Sequence, residues 1–275
     1  MKAISISGGG ENGAFTVGRL SELNKDYHIG DGTSTGSLML MLVLLRKWEK
    51  LIEAYTSVGA NDINEKSLFK GDKIKIGYAI YRFISSFFGG PSSFGDSNNL
   101  LKTIQKFIYA EDWKQLHESG KRMYVSAYSY TYQENVSFDS YDFKDNFLMY
   151  LRKIWHSSNA PFVMSTAKDY RFPYSKVLEE WGDGGISDGH KSIYLNSDIS
   201  RDITELDLFL HRDREYRSHR KDIKNIIDQS KRIINGMIMD NSNNDLELLK
   251  YKCQSREIVL NVHYIPNKYI TGNNV

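Results

Sequence analysis

Asp26-Tyr27-His28-Ile29-Gly30-Asp31, then Gly32-Thr33-Ser34-Thr35-Gly36, then the apolar run Leu38 to Leu45, form the stretch on which the fold turns. A strand-like run, a G-x-S-x-G and a helical run, in that order, describe a sharp turn that lifts a serine hydroxyl above a sheet edge and onto a helix N-terminus. Gly32 and Gly36 have a steric role there, because flanking side chains would collide where the strand doubles back into the helix. Ser34 is the candidate nucleophile. In a chain with 21 glycines, the competing reading of a lone G-x-S-x-G is an ordinary turn.

The residues upstream carry a second glycine signal. Ala3 to Ser7 alternates as a strand, Gly8-Gly9-Gly10-Glu11-Asn12-Gly13 follows, and Ala14 to Leu23 is helical in pattern. This satisfies the dinucleotide fingerprint G-x-G-x-x-G between strand and helix. It equally suits an oxyanion loop, since backbone N–H groups at a helix N-terminus stabilise a pyrophosphate or a tetrahedral oxyanion by the same physics. A dinucleotide unit next needs a strand ending in an acid for the ribose hydroxyl. Here the next strand leads into the Ser34 turn, which favours acyl chemistry.

Downstream, Ser37 to Tyr55 reads as one long helix, buried at first and amphipathic from Arg46 onward. Ile74 to Phe88 is aromatic and cationic; it reads either as a helix packed on the core or as an interfacial lid that dips into a lipid surface. Asn99 to Tyr109 is amphipathic. Arg122 to Thr131 alternates as a strand whose tyrosines pack a sheet rather than stack nucleobases, because no basic stripe accompanies them. Asp145 to Ser157 is helical and stops before Pro161. Trp181-Gly182-Asp183-Gly184-Gly185 follows a strand-like Tyr174 to Leu178, so Asp183 is either part of a plain turn or an acid presented at a strand end. Glu205 to Leu210 is a strand, Tyr216 to Met239 a long charged helix, and Glu257 to His263 a final strand.

Composition narrows the class. The 275 residues are 40% hydrophobic and 25% charged, as in a folded α/β globule, and no repeat or linker divides them. The expectation is one domain over 1–275, with a motif-bearing core at 1–190 and a C-terminal helix and strand at 200–266. A net charge of +2, from 36 basic and 34 acidic residues, gives no global field for nucleic acid. Cys253 alone forms neither an internal disulfide nor a thiolate metal site. The first seven residues leave no room for a signal peptide, and Leu38 to Leu45 falls short of the ~20 residues of a spanning helix. A soluble, cytoplasmic protein is expected, touching membranes peripherally if at all.

The four glycine- and serine-bearing segments together resemble the patatin-like phospholipases. They are the strand with Gly8-Gly9-Gly10-x-x-Gly13, the Gly32-x-Ser34-x-Gly36 elbow, the Ser157-Ser158-x-Ala160-Pro161 element and Asp183-Gly184-Gly185, spanning residues 1 to 190. The resemblance implies a three-layer α/β/α fold with a mostly parallel central sheet. It implies a serine/aspartate dyad of Ser34 and Asp183, an oxyanion hole at Gly8, Gly9, Gly10 and Gly13, and a lipid or phospholipid acyl ester as substrate, cut without metal or cofactor. The chain departs from the family pattern at Asn12, where a basic residue is common, and at Ser187-Asp188-Gly189-His190, in place of an Asn-x-Pro. Two alternatives stand beside the hydrolase: a nucleotide-binding protein using the Gly8 loop, and a catalytically silent binding module. Four of the seven histidines follow Asp183. His190 is the rival general base, His211 and His219 lie in a charged stretch that reads as a solvated face, and His263 sits in the final strand as a structural residue.

Overall fold

The computed structural model describes residues 1–63, 69–70, 73–74, 98–160, 164, 166–171, 175–186, 195, 201–212 and 243–266. The segment Ile74 to Phe88 beyond its first residue, the stretch Tyr216 to Met239, Pro161, His190 and His219 lie outside the described residues.

The strands are β1 (Lys2–Ile6), β2 (Ile29–Thr33), the short antiparallel pair β3 (Phe69–Lys70) and β4 (Lys73–Ile74), β5 (Arg122–Ser129), β6 (Glu134–Asp139), β7 (Ala167–Tyr170), β8 (Leu178–Asp183), β9 (Glu205–Leu210) and β10 (Val259–Tyr264). Eight of them form one sheet in the order β10-β9-β1-β2-β5-β8-β7, with β6 paired to β5 off that path. The neighbours from β10 through β9, β1 and β2 to β5 are parallel; β6, β8 and β7 join antiparallel.

The helices are α1 (Gly13–Leu23), α2 (Thr35–Leu44), α3 (Trp48–Ser57), α4 (Ala60–Ile63), α5 (Asn98–Phe107), α6 (Ala110–Glu118) and α7 (Phe147–Ser157), and the chain is helical again over 243–255. Strand alternation splits the core into two layers. Ile4 and Ile6 of β1 pack with Val17, Leu20, Leu40 and Ile154 on one face, whereas Ala3 and Ile29 pack with Leu206, Leu208, Leu246 and Leu249 on the other. The sheet is thus the middle layer of an α/β/α arrangement, as the family resemblance implies. All of α2 except Leu38 is buried, which explains its apolar character all round. No helix among the described residues is long and apolar enough to cross a membrane.

The expected helix from Ser37 to Tyr55 is two helices. Arg46 takes the left-handed conformation (φ 56°), and the chain turns there with Lys47 N–H donating to the Leu42 carbonyl at 2.8 Å and Arg46 N–H to Val43 at 3.0 Å. These bonds satisfy the last carbonyls of α2 in the pattern usually built on glycine, so no glycine or proline announces the break. The Arg46 guanidinium also donates to Asn24, which caps α1 in the same left-handed conformation. The strand expected at Tyr174 to Leu178 begins at Leu178 and runs on to Asp183, making the acid a strand end.

A buried ion pair fixes α7 to β7. Lys153 is fully buried; its Nζ donates to Asp169 at 3.1 Å and to the Tyr170 carbonyl at 2.7 Å, and Arg152 reaches the same carboxylate at 3.3 Å. Burial pulls the Lys153 pKa down, against the pull of Asp169. Removing one partner strands a charge in the core, so Asp169→Ala is expected to lower unfolding free energy by roughly 3–5 kcal/mol. Lys153→Met combined with Asp169→Leu is expected to lose less than Asp169→Ala alone. Urea unfolding of the three proteins checks this, and a double variant no better than the single would refute it.

Candidate active site

The edge of β5 brings the elbow and the acid together. On one edge β5 pairs with β6 throughout Tyr124–Ser129; on the other it pairs first with β2, Thr33 opposite Ser126, and then with β8, Asp183 opposite Ala127. β2 and β8 run in opposite directions and meet end to end across two successive β5 residues. Ser34, one residue past β2, therefore lies beside Asp183, the last residue of β8.

Ser34 has φ 53° and ψ −126°, a backbone conformation that a non-glycine residue holds only when its surroundings fix it. Four contacts do so. Ser34 N–H donates to Ser157 Oγ at 2.9 Å, and the Ser34 carbonyl accepts from Ser37 N–H at 2.9 Å and from the Ser37 hydroxyl at 2.7 Å. Ser158 Oγ stands 3.1 Å from the same carbonyl and 3.0 Å from that of Ile154. The elbow glycines allow close backbone approach: a Cβ on Gly32 would stand 2.6 Å from the Gly36 carbonyl oxygen, and one on Gly36 would stand 2.1 Å from that of Ile6. The sequence singled out Ser157 and Ser158 only as part of a motif; in the fold they clamp the Ser34 backbone.

Asp183 is 7% exposed. Its N–H donates to the Asn159 carbonyl at 2.9 Å, its carboxylate accepts from Gly185 N–H at 2.8 Å, and the Ser34 side chain is near enough to act on that carboxylate. Burial pushes its pKa up to about 6, while the Ser34 side chain and the Gly185 N–H pull the other way. Gly184 lets the chain turn away tightly, since a Cβ there would lie 2.2 Å from the Ser126 carbonyl oxygen.

The glycine loop borders this pair. A Cβ on Gly8 would lie 3.0 Å from Ser34 Cβ and 3.6 Å from its Oγ. Gly10 adopts φ 55°, and its carbonyl accepts from the Thr35 hydroxyl at 2.9 Å, tying loop to elbow. Gly9 abuts His211 and Gly13 abuts Thr35 and Tyr55, so these two pack the loop against its neighbours. His211 is 6% exposed, not part of a solvated face. It directly follows β9, at the C-terminal edge of the parallel strands where sites of such sheets gather, and that position was the signal available in the sequence. His263 lies in β10 with Nε2 3.0 Å from the buried Asp207 carboxylate, away from Ser34 in the sheet order.

A cavity of about 410 Å³ opens beside Ser34, lined by Leu38 and Leu42 of α2, Leu51 and Ala54 of α3, and Ile104 and Phe107 of α5. Apart from Ser34, its hydroxyls are bonded to backbone carbonyls: Tyr55 donates to that of Thr35 at 3.2 Å, Thr103 to that of Asp62 at 2.7 Å, Thr35 to that of Gly10 at 2.9 Å and Ser158 to that of Ile154 at 3.0 Å. The lining therefore presents apolar surface to an occupant. Among the described residues no cluster of three or more His, Cys, Asp or Glu could hold a metal ion.

The raised carboxyl has a thermodynamic consequence. The folded state keeps the Asp183 proton up to about pH 6 while the unfolded chain releases it near 4, so stability falls as pH rises through that window. Asp183→Asn, which cannot ionise, is expected to stabilise the protein at pH 8 by an amount on the order of 3 kcal/mol, because each tenfold difference in acidity between the folded and unfolded states is worth about 1.4 kcal/mol. The gain is expected to vanish below pH 4. Denaturant unfolding at both pH values tests it; an equal difference at the two would show that ionisation is not the cause.

A sequence comparison with curated proteins finds no match. Among solved structures, VipD from Legionella pneumophila is similar at a TM-score of 0.43 and 11% identity, covering 84% of this chain and 52% of that one, so the chain spans about half its length. The family model described as patatin-like phospholipase matches residues 4–190, a span that holds the glycine loop, the Ser34 elbow and Asp183. This chain belongs to the patatin-like phospholipase family.

Proposed function

We propose that this protein is a serine acyl hydrolase that cleaves fatty acyl esters of phospholipids or related lipids through an acyl-enzyme, with Ser34 as nucleophile and Asp183 as its base. The observation that carries the reading is the juxtaposition, across successive residues of β5, of a serine held at positive φ and a buried carboxylate of raised pKa, at the side of an apolar cavity. A serine hydroxyl attacks an ester only if its proton is taken as the bond forms, and a carboxylate near pKa 6 is a stronger base than one in water.

In the proposed reaction the acyl chain lies in the cavity and Ser34 Oγ adds to the ester carbonyl while Asp183 takes its proton. The tetrahedral oxyanion is stabilised by amides of the loop at Gly8, Gly9 and Gly10, with Gly13 starting the helix behind it. Collapse expels the alcohol, which carries the proton from Asp183. Water then attacks the acyl-serine, losing its proton to Asp183; collapse breaks the bond from the acyl carbon to Ser34 Oγ, which takes the proton back from Asp183, and the free fatty acid leaves.

Ser34→Ala is expected to abolish labelling by a fluorophosphonate probe and to lower turnover of a p-nitrophenyl ester by at least roughly a thousandfold. Asp183→Asn is expected to lose about 10²–10⁴-fold. In the wild type, kcat/KM is expected to rise with pH and level off above a midpoint near 6, since Asp183 must be ionised to accept the proton. Labelling that survives Ser34→Ala would remove the serine from the chemistry.

The cavity yields a separate test. Ala54 on α3 is half-buried in its wall, so Ala54→Trp fills space without deleting core contacts. Each excluded methylene forfeits about 0.8 kcal/mol of burial, so losing two lowers kcat/KM for a long acyl ester roughly tenfold. An acetyl ester is expected to be unaffected. Equal loss on both esters would place the acyl chain elsewhere.

A further inference from the structure

His211 is a buried titratable group that this mechanism leaves unused, and the contacts the structure shows for it lead to the glycine loop. Its backbone N–H donates to Ser7 Oγ at 2.9 Å, and Ser7 N–H donates to the Phe209 carbonyl at 3.0 Å, so the ends of β1 and β9 are fastened to each other just before the loop begins. Its side chain lies across Gly9, where a Cβ would stand 2.1 Å from His211 Cβ, 2.7 Å from Cγ and 3.0 Å from Nδ1. Glycine at position 9 is what lets the histidine come so near. The loop is thus held at Ser7 by β9 and at Gly10 by the Thr35 hydroxyl, with the His211 side chain packed against Gly9 between those anchors.

A role as mere filler fits poorly. Neither ring nitrogen reaches full hydrogen-bond geometry among the described residues, yet the backbone of Gly8 and Ser7 acts on the ring, a polar contact with the loop that leucine or phenylalanine would not make. Nor is the ring a suitable base. Burial pushes its pKa down to about 4, against a weaker pull from the Gly8 and Ser7 backbone, so it is neutral at pH 7 and holds a proton less readily than Asp183.

We propose that His211 is a positioning residue for the glycine loop: packed on Gly9, it fixes the direction of the loop amides beside Ser34 and so acts on turnover rather than on acyl-chain binding. The inference rests on reading Gly8 to Gly10 as the oxyanion-stabilising loop.

The test is a cycle of His211→Gly, Gly9→Ala and the two combined, with His211→Ala beside them, each assayed for kcat and KM on a short soluble ester and for melting temperature. Misdirected oxyanion donors lower kcat, so His211→Ala and His211→Gly are each expected to lose roughly ten- to a hundredfold in kcat with KM changed by less than about twofold. Gly9→Ala is expected to be impaired too, because its methyl strikes the His211 side chain. In the double variant that methyl occupies the space the histidine vacated, so kcat is expected to exceed that of either single variant. Wild-type kcat in His211→Ala, or single losses that simply multiply in the double, would overturn the proposal, as would kcat losses that track the melting temperature across all four. A wild type that turns over no ester and leaves Ser34 unlabelled would instead sink the hydrolase reading, and this inference with it.

Discussion

One edge of β5 is shared by two strands of opposite direction, and the site depends on that arrangement. β2 arrives parallel and stops opposite Ser126; β8 arrives antiparallel and stops opposite Ala127. Because adjacent strands lie only about 4.8 Å from a common neighbour, two strands ending on successive residues of it must place their terminal residues in contact. Ser34 and Asp183, separated widely in sequence, thereby become neighbours through backbone register rather than through side-chain reach. The loops carry little of the precision. A one-residue slip of β8 along β5 would move Asp183 off the elbow and also turn its side chain to the opposite face of the sheet.

The surrounding structure opposes two local penalties at this junction. Ser34 holds a positive φ, and strain of that kind amounts to about 1–3 kcal/mol per residue. Offsetting it are hydroxyls from two helices, Ser37 on α2 and Ser157 at the end of α7, joined by Ser158. Asp183 carries the second penalty, a carboxylate withdrawn from water with Gly185 N–H as its hydrogen-bond donor and the Ser34 side chain beside it. The ion pair of Lys153 with Asp169 anchors α7 beside β7, and His156, one residue before Ser157, stacks on Trp181 of β8 at 6.0 Å between ring centres. The helix that delivers the clamp and the strand that delivers the acid are thus packed on each other, so loosening one displaces both.

The central architecture was legible because it is local. Ile4 and Ile6 alternating before Gly8, and Gly32 and Gly36 around Ser34, encode strand, turn and helix within a few residues, and the structure has them in that order, with the strand before the elbow shifted to Ile29–Thr33 from the expected Asp26 to Asp31. What escaped reading is non-local or disguised. The end of α2 uses Arg46 in a left-handed conformation that its residue type does not advertise. α6 at Ala110–Glu118 starts after Tyr109 rather than after a Ser, Thr, Asp or Asn, so the usual start signal is absent. β6 and β7 are short strands whose place is set by pairing partners, and Asp183 ends a strand whose polar residues, Glu179 and Glu180, do not read as one. Glu179 is tolerated inside because Arg171 donates to it at 2.8 Å and Ser129 at 2.6 Å. His211 was hidden by the charged residues that follow it, since composition over a window cannot show that the first residue of the window still belongs to the sheet edge.

A direct serine–aspartate contact sets a demand that a serine–histidine–aspartate relay avoids. Histidine brings a pKa near 6.5 unaided, whereas aspartate begins near 3.9 and acquires basicity only by losing water. In the proposed mechanism the fold supplies that loss through its layers: β5 and β8 enclose Asp183 from the sheet, and Asn159 and Gly185 close on its backbone and carboxylate. The apolar cavity then completes the exclusion, because an acyl chain seated against Leu38 and Ile104 removes water from the same side on which the ester carbonyl must meet Ser34. Substrate burial and base strength are therefore coupled. A short ester leaves part of the cavity wet and the carboxylate better solvated, while a long chain dries the site and strengthens both the base and the hydrogen bonds to the oxyanion. Preference for long acyl chains would on this account appear in kcat as well as in KM, a signature that simple apolar binding, equal in ground and transition states, does not produce.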